Sequence, residues 1–261
     1  MMSGKPEYRI YALKYAGPRK RPGSLLTWCQ DFDTSVAFNF YIWFVQGGGD
    51  AIVVDTGAAP SLARQRTMEN YVNPASMLER IGVRAATVRH VVLTHLHWDH
   101  AGGVGLFPNA TFYVQEDEYH FWLESSHAQR PPFRSAYVWD DSYRGTLTEL
   151  KRKGQIAFLH GDQALLPGVD CLLTPGHTPG MQAVAVSTAQ GTAVLGSDCA
   201  MMFRNYQEDW PGTIMVDMIA WLQSYDKLRA IVSTPELLFP GHDPLLTARY
   251  PAITRDVTRL A

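Results

Sequence analysis

The sequence predicts an α/β fold in which two mixed β-sheets stack face to face and are flanked by helices, an αββα sandwich. Short apolar runs bounded by turn residues recur along the chain, which suits two sheets better than one long one. Helical patterns lie between several of these runs. The 261 residues, 46% hydrophobic and 18% charged, are enough to bury the core such a sandwich needs. No internal repeat, low-complexity tract or linker divides them, so residues 1–261 read as a single domain.

From Val36 to Val45 the run VAFNFYIWFV is β-branched and aromatic; Gly47-Gly48-Gly49-Asp50 breaks it before AIVVDTG resumes at Ala51, the pattern of a hairpin. Further strand-like runs fall at Val91–Thr94, Thr111–Val114, Ile156–His160, Val169–Leu173, Gln182–Ser187, Thr192–Leu195 and Leu237–Phe239. Helical periodicity covers Ala75–Ile81, Glu116–Leu123, Tyr143–Lys153 and Met215–Val232, the last with apolar positions at Met218, Ile219, Leu222, Leu228 and Ile231. Residues 17–32, with the basic cluster Arg19-Lys20-Arg21, and 124–141, with Pro131-Pro132 and several aromatics, read as surface loops suited to a lid or an interface.

Charge argues against a broad nucleic-acid surface, since 23 basic residues against 25 acidic ones leave a formal net charge of -2. The start, Met1-Met2-Ser3-Gly4-Lys5-Pro6, reaches Tyr8-Arg9 with no apolar core of a signal peptide, and no apolar run approaches bilayer length. Cys29, Cys171 and Cys199 are odd in number and lack CxxC spacing, which argues against a disulfide framework. The expectation is a cytoplasmic protein that engages neither membrane nor nucleic acid.

The densest chemical signal is Thr94-His95-Leu96-His97-Trp98-Asp99-His100-Ala101-Gly102-Gly103, directly after Val91-Val92-Leu93. On a helix His95 and His97 would diverge, whereas at the end of a strand residues two apart point to one side. A strand-to-loop-to-helix passage can therefore aim His95 and His97 at one cation and Asp99 and His100 at another. Gly102 and Gly103 then allow close backbone approach. One His in such a run is ordinarily a solvated loop residue; four candidate ligands within six positions point to a metal site. Imidazoles with a few carboxylates and no well-placed thiolate suit Zn²⁺, with Mn²⁺ or Fe²⁺ left open by ligand type.

Three later residues share one context, a turn directly after an apolar run. His177 lies in Thr174-Pro175-Gly176-His177-Thr178-Pro179-Gly180, Asp198 follows AVLGS, and His242 lies in Phe239-Pro240-Gly241-His242-Asp243. Strand ends of a sandwich gather on one edge, where a site can form.

This ordered set, HxHxDH, a PGH turn, an Asp after a strand and a second PGH, resembles that of the metallo-β-lactamase superfamily, over about Val36 to Tyr250. The resemblance implies that His95, His97 and His177 bind one zinc and Asp99, His100 and His242 the other, with Asp198 bridging. Within the superfamily the likeness is to the N-acyl-homoserine lactonases, through HLHWDHAGG, VQEDEY, LLPGVDCLLTPGHTPG and FPGHD. It implies a quorum-quenching type of hydrolase with two Zn²⁺ that opens a lactone or cleaves a small carboxylic ester by metal-bound hydroxide. The implied partner is that small-molecule substrate, with a homodimer left open.

The chain departs from the lactonase pattern at two positions. Met201 stands where those enzymes usually carry a Tyr that helps polarise the lactone carbonyl, and Met181 stands where a His commonly follows the PGH turn. By the same resemblance Asp99 shuttles a proton to the departing alcohol. Tyr206 is the candidate to replace the missing phenol, and Asp55 orients a ligand histidine from outside the site. Trp28, Phe32, Trp98, Phe203, Tyr206 and Trp210 are candidates for an apolar substrate wall, each weighed against ordinary packing. Cys199 reads as a small buried residue and Arg19–Arg21 as a solvated face.

Other functions of this fold weigh less. A β-lactamase proper is usually exported and does not use the bridging Asp. A glyoxalase II-like thioesterase shares much of the ligand set, but no basic segment for glutathione is evident. Phosphodiesterases also use two zincs, against which the balanced charge counts. A metal-stabilised binding protein would have little use for a full ligand set.

Overall fold

The computed structural model describes residues 6–135 and 139–261; the polar start Met1–Lys5 and positions 136–138 of the expected 124–141 loop lie outside them. The strands in chain order are β1 Tyr8–Pro22, β2 Ser35–Gly47, β3 Asp50–Val54, β4 His90–Val92, β5 Thr111–Gln115, β6 Ile156–Leu159, β7 Gln163–Leu166, β8 Val169–Leu173, β9 Gln182–Thr188, β10 Gly191–Ser197, β11 Leu238–Pro240, β12 Ala252–Thr254 and β13 Val257–Arg259. An eight-stranded sheet runs β12-β13-β1-β2-β3-β4-β5-β6 and a five-stranded sheet runs β11-β10-β9-β8-β7. Both are mixed. In the larger, β3 through β6 are parallel and β1 to β3 antiparallel. In the smaller, β10 and β11 are parallel and the remaining pairs antiparallel.

Phe38 to Val45 of β2 are buried at every position, which requires cover on both faces of the sheet. The smaller sheet covers one face, with β1 against β9, and helices cover the other, Pro74–Glu79 against β1 and Glu116–Glu124 against β5. Met218–Ile231 packs on β10 of the smaller sheet. The result is the expected αββα order. The expected hairpin is also present: Gly47 pairs with Asp50, and Gly48 and Gly49 turn the chain with φ of 60° and 92°, a conformation glycine adopts without strain.

Two expectations require correction. Residues 17–22 are not loop: Arg19, Lys20, Arg21 and Pro22 pair with Phe38, Ala37, Val36 and Ser35 as the end of β1, and Gly23–Leu26 forms a helical turn. Beyond the reach of β13, which pairs only with Tyr11 to Leu13, this stretch is a sheet edge, where charge and Pro are tolerated and obscure the strand pattern. The helix expected over Met215–Val232 spans Met218–Ile231 and buries Trp221, Ser224, Tyr225 and Leu228. Ile219, one of the apolar positions of that pattern, is 71% exposed. No helix among the described residues is long and apolar enough to cross a membrane.

Candidate metal centre

Parallel pairing of β3 with β4, and of β10 with β11, sends their C-terminal ends to a common edge, and β8 joins β10 there because β9 reverses direction between them. After β4 the chain carries His95 and His97 in a loop and Asp99 and His100 in the short helix Trp98–Ala101; the turn after β8 carries His177; Asp198 follows β10 and His242 follows β11. All seven are buried. They fall into three overlapping groups whose ligand atoms lie within 4.8 Å of one another: His95, His97 and His177; His95, His100 and Asp198; and Asp99, His100 and His242. The ligand set expected from sequence is thus brought together in space. Gly176 permits the first PGH turn, since at φ 137° any Cβ would meet the Trp221 backbone and side chain at 2.3–2.6 Å.

Three of the five imidazoles are oriented from behind. Nδ1 of His177 lies 2.7 Å from the Ile214 carbonyl, Nδ1 of His242 lies 2.7 Å from the Asn39 carbonyl, and Nδ1 of His100 lies 2.7 Å from Asp55 Oδ2. With the Nδ1 proton donated outward, Nε2 presents its lone pair inward. There the Nε2 atoms of His100 and His242 sit 3.2 Å apart, and Asp198 Oδ1 lies 3.2 and 2.8 Å from them. Nε2 of His177 lies 3.0 Å from Nδ1 of His97 and 3.4 Å from Asp198 Oδ2.

These donors fit a pair of divalent cations. Nε2 of His95 is buried without a hydrogen-bond partner, an arrangement that costs free energy unless something accepts the lone pair. Burial holds His95 and His97 well below the ordinary imidazole range, reinforced by His100 and His177 respectively, so both remain neutral and able to ligate. At His100 burial opposes the charge, but Asp198, Asp55 and Asp99 outweigh it and hold the group well above that range. Burial likewise opposes the charge on Asp198, and His242 and His100 outweigh it and hold the carboxylate well below its usual range. A field that keeps a proton on a fully buried imidazole also suits a metal ion. Nitrogen and oxygen donors with no thiolate among them match zinc-class chemistry.

The family model for the metallo-beta-lactamase superfamily matches residues 39–242. The chain belongs to that superfamily. It is similar to an N-acyl homoserine lactonase of Bacillus cereus, 27% identical over 241 residues that cover 85% of this chain and 84% of the relative. The N-acyl homoserine lactonase AiiA of Bacillus thuringiensis subsp. kurstaki is 28% identical with the same coverage. Among solved structures, a quorum-quenching N-acyl homoserine lactone lactonase superposes with a TM-score of 0.76 at 22% identity, covering 97% of this chain and 98% of that one. AidC, a dizinc quorum-quenching lactonase in complex with a product, gives a TM-score of 0.65 at 20% identity, covering 99% and 95%. At such identities the structures speak for the metallo-beta-lactamase fold.

The loop that carries HxHxDH is braced by residues that sequence reasoning passed over. Leu96, between the first two histidines, donates its N–H to Glu118 Oε1 at 2.9 Å and accepts from Tyr143 Oη at 2.8 Å. Tyr15 Oη donates to the Asp99 carbonyl at 2.7 Å. Glu118 also accepts from Trp122 Nε1 and Gly180 N, which ties the metal loop to the PGH turn after β8. Burial pushes its carboxyl up, against the pull of these donors. Only the VQEDEY segment hinted at Glu118. Asp55 takes the place expected for it behind His100, and also accepts from Thr94 N and Oγ1.

The candidate wall and donor residues divide. Tyr206 is corrected: its Oη donates to the Leu238 carbonyl at 3.0 Å, and its side chain lines a different cavity with Arg229 and Val232, so its proton is committed away from the metal cluster. Trp98 is core, 1% exposed, with its ring against Phe40 and beneath the Arg66 guanidinium. Trp28 and Phe32 are exposed, Phe203 is buried, and Trp210 Nε1 donates to the Trp28 carbonyl. Cys199 is buried, as expected. Arg21 is not on a solvated face: it is buried, and it lines a cavity with Met201 over His97, Asp99, His177 and Asp198. A second cavity, about 230 Å³, shares His97, His177 and Ile214 with the first and is walled by Trp122, Phe133 and Met215.

Proposed function

We propose that this chain is a dinuclear metal-dependent hydrolase that opens a lactone or cleaves a small carboxylic ester, with zinc as its native cation. The convergence of His95, His97, Asp99, His100, His177, Asp198 and His242 from four strand ends carries the reading. Its N-acyl homoserine lactonase relatives supply the substrate class. We assign His95, His97 and His177 to one ion, Asp99, His100 and His242 to the other, and Asp198 to both.

Bound there, two divalent cations would supply Lewis-acid polarisation of a carbonyl and would bring the pKa of water toward neutrality. The chain supplies the rest. Outward hydrogen bonds from His100, His177 and His242 fix the ligand lone pairs before substrate arrives, so little reorganisation accompanies the reaction. Asp99, whose Oδ2 lies 3.9 Å from Nε2 of both His100 and His242, holds a carboxylate at the cavity floor that can carry a proton to the departing alcohol. Leu25, Met201 and Ile214 keep water from the reacting centre. The three cysteines are free, which accords with the proposed cytoplasmic setting, and burial pushes the thiols of Cys171 and Cys199 up to about 12.

The test is a hydrolysis screen of zinc-loaded protein against lactones, aryl esters, thioesters, β-lactams and phosphodiesters. Turnover concentrated on lactones and esters is expected. A preference for phosphodiesters or β-lactams overturns the reading, and so does binding of one metal equivalent or less after reconstitution in excess zinc.

A further inference from the structure

Ser197, the last residue of β10, holds a backbone conformation that suits glycine. Its φ of 45° with ψ of -134° lies outside the regions that a residue with a Cβ adopts freely, and the side chain is fully buried. The next residue is Asp198, whose Oδ1 faces Nε2 of His100 and of His242 and whose Oδ2 faces Nε2 of His177. The turn at Ser197 therefore sets where that carboxylate points. Gly241 N donates to the Ser197 carbonyl at 3.1 Å, and a Cβ on Gly241 would meet that carbonyl and Asp198 Oδ1 at 2.8 Å. The second PGH turn is thus packed against residue 197 without slack.

The strained backbone is anchored through its own side chain. Ser197 Oγ lies 2.9 Å from Thr94 Oγ1, and 3.4 Å from both Asp55 Oδ2 and His100 Nδ1. Thr94 Oγ1 in turn lies 2.9 Å from each Asp55 oxygen. A carboxylate only accepts, so the single Thr94 proton goes to Asp55 and the Thr94 oxygen accepts the proton of Ser197. One hydroxyl ties the end of β10 to the residue before His95 and to the carboxylate behind His100. Glycine would adopt the backbone without strain and without the tie; alanine would carry the strain with nothing to hold it.

We propose that Ser197 is a positioning residue, whose hydroxyl holds a strained backbone so that Asp198 is aimed at both ions before they bind. This rests on the assignment of Asp198 to both ions made above and adds what fixes the carboxylate. In that role Ser197 acts only through Asp198.

The test uses full-length protein and two readouts, zinc affinity by competitive chelator titration and the zinc–zinc vector by X-ray absorption. Ser197→Ala keeps the strain and removes the anchor, so zinc affinity is expected to fall about 10- to 100-fold and the vector to weaken or lengthen. Ser197→Gly relieves the strain, and both readouts are expected to return most of the way to wild type. A role in stability alone would shift urea unfolding of the metal-free protein and leave the vector in place. Wild-type affinity and vector in Ser197→Ala overturn the proposal, and so do equal losses in the two variants, since the hydroxyl would then act without the backbone. If wild type shows no zinc–zinc vector, the dinuclear assignment fails, and the affinities still decide Ser197 through the ion that Asp198 holds. Should Ser197→Ala not fold, Thr94→Val removes the anchor from its other end. Rescue of that variant by Ser197→Gly in the same chain supports the proposal and its absence refutes it.

Discussion

Asp55 Oδ2 lies 2.7 Å from Nδ1 of His100, and both side chains are buried. The contact fixes the imidazole and gives it a negative neighbour that raises its basicity as a ligand. Asp55 sits at φ 62°, a strained setting for a non-glycine residue that its bonds to Thr94 N and Oγ1 help to hold. Asp55→Asn keeps an acceptor for Thr94 and loses the charge. Affinity for the ion assigned to Asp99, His100 and His242 is expected to fall about 10- to 100-fold. Competitive chelator titration measures this, and two undisturbed affinities would refute the role.

Proton release should accompany metal uptake. His100, held well above the ordinary imidazole range, is protonated at neutral pH without metal and must lose that proton before Nε2 can ligate. Calorimetry in buffers of differing ionisation enthalpy is expected to show at least one proton released per molecule at pH 7.

The metal-free protein should lose stability in mild acid. His95, His97 and His177 are held below their unfolded value of 6.5, so below that pH the unfolded chain binds more protons than the folded one. Stability then rises with pH across this window and falls on acidification from pH 6.5. His100 acts in the opposite direction above 6.5, where the folded chain retains its proton. Urea midpoints between pH 7 and 5 measure the balance, and a flat profile would contradict these shifts.

Glu118→Ala leaves three donors, Leu96 N, Gly180 N and Trp122 Nε1, without their buried acceptor. A loss of about 3 kcal/mol in unfolding free energy is expected, together with weaker metal binding, since two of the donors belong to ligand-bearing loops. Urea unfolding of the metal-free protein separates the two effects.

Met201 lines the cavity over Asp198 and His177, where the lactonase pattern has a phenol. Met201→Tyr is expected to raise kcat on N-acyl homoserine lactones by about tenfold, part of what an oxyanion donor can contribute. An unchanged kcat would place the reacting carbonyl away from position 201.

Chemistry that was local in sequence could be read from it, and chemistry made by distant pairing could not. The HxHxDH run, the two PGH turns and Asp198 announce themselves because ligand type and turn context are adjacent along the chain. Glu118, Tyr15 and Tyr143 act through backbone groups 22, 84 and 47 residues away, so nothing beside them marks their role. Arg21 misled because its neighbours are charged and exposed, and only the pairing with Val36 shows which way it turns. Tyr206 misled for the reverse reason: nearness to Asp198 in sequence did not bring its hydroxyl to the cavity.

The ligands come from both sheets, His95 to His100 from the end of β4 and the other three from the ends of β8, β10 and β11. Neither sheet alone offers a complete set for either ion. Cation loading is therefore the closing act of maturation, open only to chains whose halves have already met. Once seated, the ions work as a clasp across the sandwich, so a chain made under metal starvation would lack that tie between its halves and open more readily to proteases.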